Sequence, residues 1–190
     1  MNDLPLVTML FIGVNLDFFV ILLFLLQKYS FRDTLIGYEV GMMLVFTISA
    51  MAGQVIQSFI PGWSIGLLGI IPIYIGIKGE SDDDDPQRTK SATGIISALL
   101  IYLVSCGADN IAVYVPILAT MNLATILMTM IYFIILTAIS LTLTYFFGQI
   151  PMIKNIFERW GAPLSRIIYI LIGIFVMIDT GLVHRFLRLF

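Results

Sequence analysis

The sequence is poor in charged residues and has almost no cysteine or histidine. Only 12% of its 190 residues are charged, about half the fraction found in a typical soluble domain. The single cysteine, Cys106, excludes an intrachain disulfide framework, and the single histidine, His184, excludes a histidine-rich metal site. So little charge leaves no room for a separate soluble domain and forms no basic patch for nucleic acid.

Several sequence motifs of common enzymes are absent as well. The chain has no HExxH, no Walker loop for nucleotide phosphates and no second histidine for a base relay. We therefore expect no enzyme, no bound cofactor and no ATP-driven pump. An ion gradient, or the gradient of the substrate itself, remains as the energy source for transport.

Long apolar runs dominate the chain. Hydrophobic residues make up 59% of it, the mean hydropathy is +1.02, and a membrane-spanning helix needs about 20 mostly apolar residues. The sequence predicts an all-α polytopic membrane protein with six transmembrane helices. The predicted spans are 5–26, 35–59, 64–77, 94–119, 123–147 and 164–183. The third is the shortest, and its glycines and proline suggest a tilted, broken or re-entrant helix.

An acidic cytoplasmic loop, predicted at 80–93, divides the chain into two halves, 1–79 and 94–190. With three spans in each half, the second half would enter the membrane in the opposite orientation. Such 3+3 inverted repeats place substrate sites near the midplane, between the halves. Each half opens with an apolar run that contains a central aspartate, and the last spans share a motif. The motifs are Leu67-Leu68-Gly69-Ile70-Ile71 and Leu171-Ile172-Gly173-Ile174-Phe175.

The distribution of lysine and arginine predicts the orientation in the membrane. Basic residues follow the first and third predicted spans and surround the connection between the fifth and sixth. We therefore expect both termini outside and the larger loops in the cytoplasm. The GxxxG spacings at Gly37–Gly41 and Gly62–Gly66 are compatible with internal packing and with a homodimer.

Two aspartates near the middle of predicted spans are the main functional candidates. Asp17 lies in the first span, close to Asn15, and Asp109 lies in the fourth span. A charge at the bilayer centre costs at least about 3 kcal/mol, so such a residue is a functional candidate by default. The structural alternative is that the two aspartates only pair helices through hydrogen bonds.

Further candidate ligands surround Asp109. Ser105 and Cys106 precede it by four and three positions and share its helix face, and Asn110 lies at the edge of that face. Carboxylate and amide oxygens suit hard divalent cations, whereas a thiolate favours softer ones. Two aspartates with one cysteine would suit Zn²⁺ or Cd²⁺, although a lone cysteine is as often a small buried apolar residue.

Glu39 lies about one turn into the second predicted span, with Met42 and Met43 three and four residues later. It would guide the ion into the site or accept a proton. The structural alternative is a glutamate that extends to the membrane interface above a helix-packing motif.

Two stretches carry a resemblance to a known family. SCGADN at 105–110 and LLGIIPIYIGIK at 67–78, together with Asp17, resemble the bacterial cadmium-resistance transporter family. That family belongs to the lysine-exporter superfamily of small six-span secondary transporters. The resemblance implies efflux of Cd²⁺ against proton entry across the bacterial cytoplasmic membrane. It carries over to Cys106, Asp109 and Asn110, and then to Asp17.

The sequence therefore predicts a proton-coupled exporter of divalent metal, whose partners are the metal ion, protons and the lipid bilayer. Two alternatives stay open. One is an exporter of amino acids or other small organic cations, and the other is a membrane scaffold that transports nothing.

Overall fold

The computed structural model describes residues 4–16, 18–78, 94–148 and 150–187. Regular structure in these residues is entirely helical. In chain order the helices are α1 (Leu4–Asn15), α2 (Phe18–Lys28), α3 (Phe31–Phe59), α4 (Gly62–Ile65), a 3₁₀ helix (Gly66–Gly69), α5 (Ile70–Lys78), α6 (Gly94–Leu118), α7 (Leu123–Phe147), α8 (Pro151–Asp179) and α9 (Leu182–Leu187). The predicted acidic loop and Asp17 fall outside the described residues.

Four helices of the described chain, α3, α6, α7 and α8, are long and apolar enough to cross a bilayer. Helices α1 and α2 together make a fifth candidate, although they are inclined to each other by 62°. The segment Gly62–Lys78 is shorter, with 17 residues. At about 1.5 Å per residue it extends roughly 25 Å, compared with the hydrocarbon thickness of about 30 Å. The protein is a multi-pass helical membrane protein, and the count of six spans stays a prediction.

The first and last predicted spans differ from the helices in the structure. The continuous helix expected over 5–26 is instead two helices, since α1 ends at Asn15 and α2 begins at Phe18. Helix α8, which contains most of the last predicted span, begins at Pro151 rather than at 164, because proline at the first helical position is favourable there. With 29 residues, α8 is roughly 43 Å long and exceeds the apolar layer.

Helices α3 and α6 form the central pair of the bundle. They approach closely because Gly37 and Gly41 lie at the contact. A Cβ atom on Gly37 would overlap the carbonyl oxygen of Ile95, and one on Gly41 would lie 2.7 Å from Cδ1 of Tyr102. This GxxxG spacing is therefore used for packing within the chain.

A second close pair is formed by the 3₁₀ helix and α5 with α8. A Cβ atom on Gly69 would lie 2.5 Å from the carbonyl oxygen of Gly173, and one on Gly173 would overlap the carbonyl oxygen of Gly69. These are the matching glycines of the two sequence motifs. Each glycine thus contacts the backbone of its counterpart in the other half.

We expect Gly69→Ala to lower the free energy of unfolding by about 1–3 kcal/mol, because the added methyl group must separate two backbones in contact. Gly62→Ala is the matched control, since a Cβ atom at Gly62 meets no atom within 4 Å. Thermal unfolding of the purified proteins in detergent measures both effects. Equal midpoints for the two variants would contradict the packing described here.

Candidate metal-binding site

The interruption between α1 and α2 positions the first polar residue of the site. Asn15 ends α1, and its Nδ2 donates a hydrogen bond of 2.7 Å to the carbonyl oxygen of Phe11. From α8, the buried hydroxyl of Ser165 donates one of 2.8 Å to the carbonyl oxygen of Gly13. The last turn of a helix leaves carbonyl groups without intrahelical partners. The backbone N–H of Leu16 still bonds to the carbonyl oxygen of Ile12, so Gly13 is the first residue of α1 whose carbonyl needs another partner, and Ser165 supplies it.

Tyr38 connects Asn15 to α3. The hydroxyl of this buried tyrosine donates a hydrogen bond to Oδ1 of Asn15. Because Nδ2 of Asn15 is bonded to Phe11, both ends of the amide are held. Asn15 thus stabilises the end of α1 and attaches it to α3.

Helix α6 supplies the other half of the polar cluster. Tyr102, Cys106 and Asn110 are buried and follow one another at four-residue spacing, so they share a face. Nδ2 of Asn110 donates a hydrogen bond of 2.8 Å to the hydroxyl of Tyr102. Ser105 and Asp109 are only partly buried. The most deeply buried face of α6 therefore contains Tyr102, Cys106 and Asn110, whereas the predicted face contained Ser105, Cys106 and Asp109.

Three aromatic rings join these two groups. Tyr38 and Tyr102 meet edge to face with their centroids 5.0 Å apart. Phe18, the first residue of α2, stacks on Tyr38 at 5.1 Å and meets Tyr102 edge to face at 5.4 Å. We call Asn15, Tyr38, Tyr102 and Asn110 the polar network; it connects α1, α3 and α6 through the bundle.

Sequence reasoning missed both tyrosines of the polar network. Tyr102 was detectable in principle, because it lies four residues before Cys106 and eight before Asn110 on the same helix face. Tyr38 carried no comparable signal, because its partner Asn15 belongs to another helix. The place of Asp17, which falls outside the described residues, stays a prediction.

The donors available near the polar network are chemically mixed. They include the Asp109 carboxylate, the Cys106 thiol, two amides and two phenols. Among the residues that the structure places, no three histidine, cysteine, aspartate or glutamate side chains are close enough to hold a metal ion.

Glu39 directly follows Tyr38 in α3, but it lines a groove to which no residue of the polar network contributes. Glu39 shares this groove, formed by α3 and α7, with Met43, Thr47 and Ile134. Both of its carboxylate oxygens are buried, and neither has a hydrogen-bond partner in the described part of the chain. Met42 is separate from this groove, and its sulfur accepts a hydrogen bond of 3.1 Å from Thr137. The structure thus brings Asn15 and Asn110 into one network but leaves Glu39 outside it.

An apolar cavity of about 400 Å³ adjoins Asn15. It is enclosed by α1, α2, the last turns of α7 and the first turns of α8, with Ser140 and Thr144 as further polar side chains. Phe19 and Phe157, from α2 and α8, stack at its edge with ring centroids 3.7 Å apart. The cavity extends from the end of α1 towards the side of the bundle where α7 ends and α8 begins.

The apolar helices, the interrupted first span and the buried polar network together define a polytopic membrane protein of the transporter class. The chain belongs to the cadmium resistance transporter family, whose family model matches residues 11–189. This match confirms the resemblance seen in the SCGADN and LLGIIPIYIGIK stretches. The chain matches no curated protein and no solved structure.

We expect Ser165→Ala to lower the free energy of unfolding by about 1–3 kcal/mol, because it leaves the buried Gly13 carbonyl without its partner. The control is Ser58→Ala, because the Ser58 hydroxyl bonds only to a carbonyl of its own helix and is exposed. Thermal unfolding in detergent compares the two variants. An unchanged midpoint for Ser165→Ala would contradict the stabilising role given to this contact.

We expect Glu39→Gln to leave the KM for metal uptake within about twofold of the wild-type value, because KM rises when a substitution removes a contact to the bound substrate. The reason is that the groove around Glu39 contains no residue of the polar network. Uptake into vesicles at varied metal concentration measures the KM. A KM raised tenfold would instead identify Glu39 as a ligand of the ion.

Proposed function

We propose that the protein exports Cd²⁺, with Zn²⁺ as a second substrate, from the cytoplasm in exchange for protons. The observation that carries this proposal is the position of Asp109. This carboxylate lies within a membrane span, next to the buried Asn110 and one turn from the buried Cys106, in a member of the cadmium resistance transporter family.

The proposed ligands are the Asp109 carboxylate, the Cys106 thiolate and the carbonyl oxygen of Asn110. Asp17 is proposed as the second carboxylate, on the basis of its place in the sequence. Asn15 and Ser105 are proposed to complete the oxygen donors. A mixed set of thiolate and oxygen ligands suits Cd²⁺ and Zn²⁺ better than the harder Mg²⁺ or Ca²⁺.

Exchange for protons follows from the chemistry of these ligands. A thiol and a carboxyl group bind metal only in their deprotonated forms, so metal binding releases protons and protonation releases the metal. Protons that arrive from outside would therefore displace the ion. The protonated, neutral site would then turn back to the cytoplasmic side.

A 3+3 inverted repeat is the proposed framework for this exchange. Two observations support it: the reciprocal backbone contact between Gly69 and Gly173, and the interrupted first span. A reciprocal contact is the pattern expected where a two-fold axis passes between equivalent segments. Discontinuous helices at the midplane are typical of binding sites in transporters built from inverted repeats. Rocking of one half against the other would then expose the site to each side in turn.

We propose that the protein lies in the bacterial cytoplasmic membrane with both termini outside. Basic residues support this orientation. Lys28 and Lys78 lie at the ends of α2 and α5, and Lys154 and Arg159 lie in the first turns of α8. In the proposed topology all of these positions face the cytoplasm, as the positive-inside rule requires. The cavity beside Asn15 would then open towards the cytoplasm.

Uptake of Cd²⁺, Zn²⁺ and Mn²⁺ into proteoliposomes with an acidic interior tests the proposal. We expect a pH gradient to drive uptake of Cd²⁺ and Zn²⁺ by the molecules whose cytoplasmic side faces outwards. We expect Asp109→Asn to reduce this uptake at least tenfold, because one lost charge at the ion costs more than about 1.4 kcal/mol. Asp17→Asn should have a similar effect.

Asp179→Asn is the matched control, since Asp179 is exposed at the end of α8 and its substitution should leave uptake unchanged. Full uptake by Asp109→Asn would overturn the assigned site. If folded wild-type protein transports no metal, uptake of amino acids and small organic cations is measured next. If the protein transports neither metal ions nor organic solutes, the alternative of a membrane scaffold that transports nothing would be favoured.

A further inference from the structure

The polar network lies between a cavity and a group of packed aromatic rings. The cavity of about 400 Å³ reaches Asn15 and follows the last turns of α7 and the first turns of α8. Beyond the network, four buried aromatic side chains contact one another, one from each of α1, α3, α6 and α7. We call them the aromatic layer; they are Phe11, Phe46, Tyr114 and Phe133.

The directions of the helices show on which side of the network the aromatic layer lies. Helices α3 and α6 run in the same direction, because Gly41 lies against Tyr102 and Gly53 lies against Ala119. Helix α7 follows α6 after a short connection and runs back beside the bundle. The end of α7, where the cavity lies, is therefore on the side where α3 and α6 begin.

The aromatic layer lies on the opposite side, towards the ends of α3 and α6. Phe46 follows Tyr38 by eight residues on α3, and Tyr114 follows Asn110 by four residues on α6. At about 1.5 Å per residue, these spacings place them roughly 12 and 6 Å beyond the network. In the proposed topology the ends of α3 and α6 face the outside. The site would thus have a cavity on its cytoplasmic side and packed rings on its outer side.

Three contacts in the aromatic layer join the two proposed halves of the chain. Phe11 and Phe46 belong to the first half, and Tyr114 and Phe133 belong to the second. The ring centroids are 5.3 Å apart for Phe11 and Phe133, 5.7 Å for Phe46 and Tyr114, and 5.5 Å for Phe46 and Phe133. Rocking of one half against the other would therefore separate these rings.

The hydroxyl of Tyr114 distinguishes the aromatic layer from simple core packing. Tyr114 is fully buried, and its hydroxyl has no hydrogen-bond partner in the described part of the chain. A buried hydroxyl without a partner is costly, and an apolar group of the same shape would be at least as stable there. This hydroxyl would gain water or an ion as a partner if the rings separated.

We propose that the aromatic layer is the outer gate of the ion pathway. The structure is then the state in which the site is closed to the outside, and the ion leaves when the rings of the two halves separate. This inference rests on the proposed function, because it assumes that the site is exposed to each side in turn.

The single cysteine of the chain provides the test, because Cys106 lies on the same buried α6 face as Asn110 and Tyr114. A membrane-impermeant, anionic methanethiosulfonate is added to right-side-out or inverted membrane vesicles. The mass of the intact protein then gives the rate at which Cys106 is labelled from each side.

Phe133→Leu keeps an apolar side chain but removes the ring that contacts Phe11, Phe46 and Tyr114. Loss of contacts made only in the closed state shifts the population towards the state open to the outside. We expect labelling from outside to become about fivefold faster, the ratio equivalent to one aromatic pair. Labelling from the cytoplasmic side should not become faster.

Phe147→Leu is the matched control, since Phe147 lies on the same helix but lines the cavity on the other side of the network. Its labelling rate from outside should equal that of wild type. Phe46→Leu is the second variant and should resemble Phe133→Leu, because it removes another ring that joins the halves. It decides the matter if Phe133→Leu does not fold.

Unchanged labelling from outside in the folded leucine variants of the aromatic layer would overturn the proposal. An equal rise from both sides would also overturn it, because that result indicates a loosened fold. The labelling requires no transported metal, so the two proposals can fail separately. Wild-type protein without metal uptake would overturn the proposed function, whereas normal uptake with unchanged labelling in the variants would overturn the gate alone.

Discussion

The constraint on which this structure depends is that backbone polar groups within a bilayer must find partners inside the protein. The first span meets it at its interruption. Ser165 donates a hydrogen bond to the carbonyl group of Gly13 in the last turn of α1, and the side chain of Asn15 bonds back to the carbonyl group of Phe11. Because Ser165 belongs to α8, the interruption is attached to a distant part of the chain.

Once the first span is interrupted, its polar end becomes part of the bundle core. Tyr38 attaches Asn15 to α3, and its ring meets Tyr102 of α6, which in turn holds Asn110. Hydrogen bonds in apolar surroundings are strong when complete and costly when a partner is missing. The polar network therefore has few alternative arrangements. That rigidity would suit the proposed ion site, because the ligands of a selective site must be fixed before the ion arrives.

In the rest of the bundle, close backbone contact holds pairs of helices together. Glycines bring α3 against α6 and bring the 3₁₀ helix and α5 against α8. In lipid, where apolar burial gives little driving force, such packing is a main source of helix association. The contact between Gly69 and Gly173 brings the backbones of the two proposed halves together, with the side chains of Ile73 and Met177 beside it.

Sequence alone determined the helical membrane class, the family and several helix bounds. Helix α7 begins after the capping residue Asn122 and matches its predicted range, and α6 ends one residue before its predicted end. Long apolar runs and local capping are properties of consecutive residues, so they can be read directly. Tertiary structure decided three features: the interruption between α1 and α2, the hydrogen bond between Tyr38 and Asn15, and the position of Glu39 in a groove outside the polar network. In a helix that is apolar on all sides, the pattern does not show which face meets another helix, and partners distant in sequence become neighbours only on folding.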